Sequence, residues 1–423
     1  GTSEPKPPSP AGRGGTGPSA SFLGRSSIAA DTLPPSSLAS GPVALPPKSE
    51  VIFAPTLSMP GPDSLPARTE CAALADFDSA ALAQLFASWG YKPSHAARVL
   101  RAFYAAGGIV ASTARGLPRK LAERLCAAFD RSAVPLAARQ VAADGTLKLL
   151  LRLRDGRTVE SVLMPDFRAD RAAGCISSQV GCAMGCDFCA AGKTGFERNL
   201  TVGEIVEQFL ALQREAHAVG RKLQTVVLMG MGEPLLNLEA VLGAVRRLAD
   251  NSLGALGWRQ TTLSTVGIVP GMDALTATGL NIQLAVSLHA PDDATRARLL
   301  PSGKRFPIAD ILAAADRFQA RRGRPVTIQY CLLAGVNDSA EHARQLAGLL
   351  RARRMHVNLL RYNPTGLSLR GVSYEPSPEE TAEAFAGVLR GHGVVAHFRR
   401  SRGSEIDAAC GQLRRRSGNS IPT

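Results

Sequence analysis

Apolar and polar residues follow two rhythms along this chain, and the change from one to the other divides it. From Ser94 to Tyr104 the apolar positions recur at helical spacing. Ala97, Leu100 and Tyr104 form one stripe, with Arg98 and Arg101 beside it. Pro118-Arg119-Lys120 opens a second helix through Leu121, Leu125 and Phe129. The rhythm then becomes strand-like. Thr146–Leu153 and Thr158–Met164 flank the turn Asp155-Gly156-Arg157 and predict a hairpin. Beyond residue 175 short apolar runs alternate with helical patterns. Strands are predicted at Thr225–Met229, Gln260–Ser264, Ile282–Ser287, Val326–Leu332 and His356–Leu360. Thr201-Val202-Gly203-Glu204 is a capping box that opens a helix through Val206, Phe209, Leu210 and Leu212. Strand–helix alternation of this kind predicts an α/β fold, a parallel sheet closed partly or fully into a barrel.

The first 70 residues follow neither rhythm. They hold 14 of the 28 prolines, five Lys or Arg and five Asp or Glu. Such a segment cannot bury enough apolar surface to fold and is read as a Pro/Ser/Gly/Ala-rich disordered extension. It begins without Met, so its natural start is read as lying upstream. No secretory signal is apparent, and the segment is neither Arg-rich nor acid-poor as a transit region would be. The predicted organisation is therefore an extension over 1–70, a small basic helical domain over 71–135, a connecting β-hairpin over 136–165, a β/α barrel over 166–413, and a basic tail over 414–423.

Composition sharpens this picture in two ways. Apolar residues are 45% and charged residues 20% of the 423, enough for a sizeable core, and no run approaches the roughly 20 apolar residues of a membrane span. The net charge of +14 falls wholly on residues 71–423, because the first 70 balance to zero. That excess predicts a polyanionic partner, most simply a nucleic acid. Arg98, Arg101, Arg119, Lys120, Arg399, Arg400, Arg402 and the run Arg414-Arg415-Arg416 are candidate phosphate contacts. Each is also an ordinary solvated charge when taken alone.

The strongest chemical signal is Cys182-x3-Cys186-x2-Cys189, three of the eight cysteines within eight positions. Three thiolates on one short loop can hold three irons of a [4Fe–4S] cube and leave the fourth open. A zinc site would want a closed set of four, for which Cys175 is the available partner. Polar, glycine-rich stretches follow the predicted strands. They are Gly230-Met231-Gly232-Glu233-Pro234, Ser264-Thr265-Val266-Gly267, Ser287-Leu288-His289-Ala290-Pro291 and Tyr362-Asn363-Pro364. At the C-terminal rim of a barrel these suit a cofactor site. Cys71, Cys126 and Cys331 sit among apolar neighbours and read as packing residues. Cys410, in Ile406–Leu413, reads from its surroundings alone as a buried helix cysteine.

Together these motifs carry a resemblance. The cysteine triad with Gly232-Glu233-Pro234 resembles the radical S-adenosylmethionine superfamily. Cys175-x-Ser-Ser-Gln-x-Gly-Cys182, Gly195-Phe196-Glu197-Arg198-Asn199-Leu200, Ser287–Pro291 and Asp407-Ala-Ala-Cys410-Gly-Gln-Leu413 narrow it to the dual-specificity rRNA/tRNA adenine C2 methyltransferases and their C8-methylating relatives. The resemblance spans about residues 75–413. It implies a cluster on Cys182, Cys186 and Cys189, and S-adenosylmethionine held by Gly232, Glu233, Ser264, Ser287, Leu288, His289 and Asn363. It implies a methyl relay in which Cys410 is first methylated, its methyl carbon then joins the adenine, and Cys175 frees the product by forming a disulfide with Cys410. Glu160 would take the ring proton. The resemblance further implies 23S rRNA and tRNA as substrates, a flavodoxin or ferredoxin as reductant, a monomer, and a bacterial cytoplasm; a plastid or mitochondrion would suit the long extension. C8 methylation and a non-catalytic, zinc-stabilised RNA-binding protein are the rival readings.

Overall fold

The structure is a computed structural model and describes residues 73–110, 116–130, 134–253 and 256–413. The extension over 1–70, Cys71 and the Arg414–Arg416 run lie outside the described residues.

Three helices come first: α1 (Ser79–Ser88), α2 (His95–Ala105) and α3 (Arg119–Ala128). Asp78 caps α1 by accepting from the Ala81 N–H at 2.8 Å. The buried stripe of α2 is Ala96, Val99, Leu100, Phe103 and Tyr104; it keeps the predicted Leu100 and Tyr104 and takes Ala96 in place of Ala97. Val99 and Phe103 lie on the Ala96 side of Leu100 and Tyr104 and widen the buried stripe in that direction. Leu121 and Leu125 of α3 are buried as the pattern predicts. These side chains join the same hydrophobic cluster as the sheet and its helices.

The strands are β1 (Leu136–Val141), β2 (Leu147–Arg152), β3 (Thr158–Pro165), β4 (Arg171–Cys175), β5 (Gln179–Gly181), β6 (Phe196–Asn199), β7 (Lys222–Leu228), β8 (Thr261–Thr265), β9 (Gln283–Ser287), β10 (Val326–Leu332), β11 (Met355–Arg361) and β12 (Val395–Phe398). The later helices are α4 (Ala190–Lys193), α5 (Val202–Ala218), α6 (Leu238–Leu248), α7 (Val269–Ala277), α8 (Asp293–Leu299), α9 (Ile308–Arg322), α10 (Ala340–Leu350) and α11 (Glu379–Gly391). The capping box predicted at Thr201 and Glu204 opens α5.

One ten-stranded sheet runs β1-β2-β3-β4-β7-β8-β9-β10-β11-β12. The β2–β3 hairpin extends beyond the prediction on both sides. β1 pairs antiparallel with β2, and β3 pairs antiparallel with β4. From β4 to β12 all neighbours are parallel and in sequence order. Right-handed crossovers in that order put the helices on one face, so the sheet curls around its other face. Its edges, β1 and β12, do not pair with each other, which makes the barrel partial. The parallel strands β4 and β7–β12 therefore end on one rim, where the glycine-rich loops lie, and β5 and β6 form a separate two-stranded sheet.

Candidate active site

The cysteine loop is pinned by a small hairpin. β5 and β6 pair antiparallel, and the Cys182 N–H donates to the Gly195 carbonyl at 2.9 Å. Gly181 makes this possible. Its φ is +77°, and a Cβ there would stand 1.7 Å from the Gly195 oxygen. Within the loop the Cys189 N–H returns to the Cys186 carbonyl at 3.0 Å. Cys182, Cys186 and Cys189 all line one cavity that encloses about 950 Å³, part of it open to solvent.

That cavity suits a cationic cluster. Burial pushes the Cys182 thiol up to about 12. Cys186 and Cys189 are also raised by burial, Cys186 further by the two other thiols. Lys193, Arg296 and Arg399 lie near these thiols but do not offset their burial, so three thiolates there need further positive charge, which a bound iron cluster would supply. Among the described residues no three His, Cys, Asp or Glu side chains gather closely enough to hold a single metal ion, as a lone zinc would require.

The rim loops furnish the remaining walls. Gly232 has φ +102°, and a Cβ there would come within 2.6 Å of the Gln179 side chain, so the backbone lies flat against β5. Glu233 is buried. Its Oε1 accepts from the Leu235 N–H at 3.1 Å and its Oε2 from the Val266 N–H at 2.8 Å. Burial nevertheless lifts its carboxyl to about 7. Ser264 and Ser287 face each other, Oγ to Oγ at 3.4 Å. His289 has φ +59°, and its Nδ1 accepts from the Cys331 N–H at 3.0 Å. Nδ1 therefore carries no proton and Nε2–H is the donor. Burial pushes the ring down to about 3, so it stays neutral. Asn337 locks this turn by donating to the carbonyls of His289 and Cys331 at 2.8 and 2.7 Å.

Gly232, Glu233, Ser264, Ser287 and His289 line the cysteine cavity. Two expected partners do not. Leu288 is a core side chain whose carbonyl accepts from Arg296 Nη1 at 2.7 Å. Asn363 lines a second, adjoining cavity of about 550 Å³ that opens to solvent.

Cys410 joins the two spaces. It lines both cavities, together with Met229, Leu360 and Arg399. It is not on a regular helix: Gly403 and Asp407, both left-handed, bracket a short 3-10 turn, and an irregular loop follows. The loop is tied to the cysteine loop where the Ala190 N–H donates to the Gly411 carbonyl at 2.7 Å, and to Asn363, whose Nδ2 donates to the Cys410 carbonyl at 3.3 Å. Cys175, at the end of β4, lines the second cavity, and burial followed by the Cys410 charge pushes its thiol up to about 12. All seven described cysteines are free, Cys175 and Cys410 included, so the expected disulfide is not formed here.

Glu160 lines neither cavity. It sits on β3, two residues from cavity-lining Val162, and pairs with Lys148 (Nζ–Oε1 3.3 Å) where both side chains are nearly buried. Lys148 also donates to the Asp407 carbonyl at 3.4 Å, tying this carboxylate to the Cys410 loop. Arg399, an expected phosphate contact, is instead partly buried between the cavities, where the Cys410 and Cys175 thiols strengthen its hold on its proton. Arg400 and Arg402 remain at the second cavity's mouth beside Phe167. Lys148 and Arg296 were not anticipated. Lys148 carries a signal: a lone cation inside an apolar strand, diagonal to Glu160 in the hairpin register.

A parallel partial barrel with a three-cysteine loop and a cofactor-shaped rim defines a radical S-adenosylmethionine enzyme. The Radical SAM superfamily profile matches residues 176–347. A crystal structure of a radical SAM methyltransferase from Sphaerobacter thermophilus superposes with a TM-score of 0.77 at 40% identity, covering 81% of this chain and 99% of that one. Among curated proteins, a probable dual-specificity RNA methyltransferase RlmN 1 of Opitutus terrae is 71% identical over 82% of this chain and 97% of its own. The dual-specificity RNA methyltransferase RlmN 1 of Myxococcus xanthus is 43% identical over 83% of this chain and 97% of its own. The chain belongs to the RlmN family of RNA methyltransferases.

Proposed function

We propose that this enzyme methylates C2 of adenosine in 23S rRNA and tRNA by a relay through Cys410. The observation that carries the reading is the position of Cys410, on the wall shared by the cysteine-lined cavity and the cavity that holds Cys175. A thiol there can take up a methyl group on one side and hand it on at the other. Cys182, Cys186 and Cys189 would hold the cluster, and Gly232, Glu233, Ser264, Ser287 and His289 the bound S-adenosylmethionine. Leu288 acts through its backbone, and Asn363 by orienting the Cys410 loop. When bound, these two groups supply the methyl group and the hydrogen-abstracting radical that an unactivated aromatic carbon requires.

The chain's own residues do the rest. Glu233 presents an acceptor to the amino group of S-adenosylmethionine, and neutral His289 offers its Nε2–H. Cys410 carries the methyl carbon to the flipped-out adenine, which the second cavity has room to take. The adduct gives up its unpaired electron, and Glu160, turning into the cavity from its place behind Val162, accepts the proton lost from the ring carbon. The Cys175 thiolate then attacks Cys410 Sγ. The S–C bond to the product breaks, its electron pair goes to the methylene carbon, that carbon takes a proton to become the methyl group, a Cys175–Cys410 disulfide forms, and an external thiol reduces it before the next turnover. Arg399 beside Cys175 offsets part of the burial that raises its thiol and so favours the attacking thiolate. Arg400 and Arg402 at the cavity mouth offer phosphate contacts, and helices α2 and α3, which carry Arg98, Arg101, Arg119 and Lys120, add RNA affinity. Among the described residues no helix is long and apolar enough to cross a membrane. A monomer in a bacterial cytoplasm, reduced by a flavodoxin or ferredoxin, completes the proposal.

The test is Cys175→Ala. With Cys410 still methylated, the variant should stall after carbon–carbon bond formation and migrate as a covalent enzyme–RNA species on denaturing gels. Free methylated RNA at the wild-type rate would overturn the relay.

A further inference from the structure

The loop after β11 is held unusually firmly for a segment that exposes apolar side chains. At its start Lys193 Nζ donates to the Thr365 carbonyl and Oγ1 at 3.0 and 2.9 Å, and Thr365 Oγ1 reaches the Phe188 carbonyl at 3.3 Å. Further along, the Arg370 backbone N–H donates to Asp187 Oδ1 at 3.1 Å, its guanidinium to Asp187 Oδ2 at 3.1–3.2 Å, and Tyr374 Oη to the same oxygen at 2.5 Å. Asp187 and Phe188 lie between Cys186 and Cys189, so both fastenings are to the cysteine loop itself. Between them Leu367, Leu369 and Val372 are 67%, 51% and 43% exposed. Mobile loops can fold such residues inward; a clamped loop displays them. A fixed exposed apolar patch marks an interaction surface.

Its surroundings say what kind. A Cβ on Gly185, between Cys182 and Cys186, would lie 3.9 Å from Leu369 and 3.8 Å from Pro301, so patch and turn meet over the cysteine loop. The turn Pro301–Lys304 ends in exposed Lys304 and Arg305, and Arg370 is half exposed. The one carboxylate among these contacts, Asp187, is buried and already paired. An apolar centre with a cationic rim matches an acidic partner protein with an apolar tip.

We propose that Leu367, Leu369 and Val372, rimmed by Lys304, Arg305 and Arg370, form the docking surface for an acidic one-electron carrier protein. The inference rests on the reading above, which requires an electron from outside. The carrier loses one electron, the cysteine-held cluster gains it, and no bond forms between the proteins.

The test uses the holoenzyme and Leu369→Glu and Leu367→Glu variants, with a bacterial flavodoxin and a plant-type ferredoxin as probes. Biosensor binding of a carrier should weaken by at least about tenfold in each variant and should fall steeply with salt for the wild type. The KM for that carrier should rise in parallel. Turnover driven by dithionite, which needs no docking, and RNA affinity should stay within about twofold. Unchanged carrier binding, an equal loss with dithionite, a matching loss of RNA affinity, or wild-type binding of neither carrier would overturn the docking surface. Absence of methylation by the wild type with dithionite would instead overturn the proposed function.

Discussion

Replacing Lys148 with Met removes the cation that neutralises Glu160 inside the sheet. The two charges are 3.3 Å apart, with side chains only 9% and 4% exposed. At an effective dielectric of 20 their attraction is about 5 kcal/mol. Both ions were desolvated to reach it, so the pair as a whole is worth far less than that against two apolar residues. Removing one partner is different. Glu160 keeps its desolvation cost and loses the Lys148 counter-charge, which costs about 3–5 kcal/mol for pairs of this kind. The tether to the Asp407 carbonyl goes as well. Urea unfolding of reduced, cluster-free protein, followed by far-ultraviolet circular dichroism, should show K148M destabilised by about 3 kcal/mol or more. The double variant K148M/E160L should recover to within about 1–2 kcal/mol of wild type, because no charge is left stranded. K148M within about 1 kcal/mol of wild type, or a double variant weaker than the single one, would refute the reasoning.

Other outcomes follow from single features. Glu207 is lifted to about 7, chiefly by burial, from a reference value of 4.5. Between those values the folded protein holds a proton that the unfolded chain has lost. Stability therefore falls as pH rises through this window and stays lowered above it. Glu207→Gln should be more stable than wild type by about 1–2 kcal/mol at pH 8 and nearly equal at pH 4.5, a difference thermal melts at both pH values would read. Gly181→Ala adds a methyl 1.7 Å from the Gly195 oxygen at a φ of +77°. The left-handed penalty alone is about 1–2 kcal/mol, and the β5–β6 hairpin cannot yield without moving Cys182. Anaerobic reconstitution should leave this variant with little bound iron, and full iron content would contradict the hairpin's role.

Much of this architecture could be read before any coordinates. Val326–Leu332 coincides with β10 residue for residue, because Val326, Ile328 and Tyr330 alternate with Thr327 and Gln329 directly after Pro325. β7 starts at Lys222, earlier than Thr225, since Lys222 pairs with Arg171 through the backbone, which periodicity does not register. β1 was invisible because it is an exposed edge strand without alternation. At the site, residue types and spacing exposed the cysteine triad and most of the cavity wall. They did not reveal that Cys410 lies between two spaces, that Asn363 belongs to the second, or that Arg399 turns inward. Those facts depend on how residues 399–413 fold back across the rim, a long-range placement with no local signature.

The account turns on Cys410, and nucleoside mass spectrometry tests it most directly. Anaerobic reactions of wild type and Cys410→Ala with S-adenosylmethionine, reductant and 23S rRNA or tRNA fragments would be digested and analysed. The wild type should yield 2-methyladenosine. Cys410→Ala should yield none while keeping the iron–sulfur absorbance. Methylation at C8, or 2-methyladenosine from Cys410→Ala, would contradict the account.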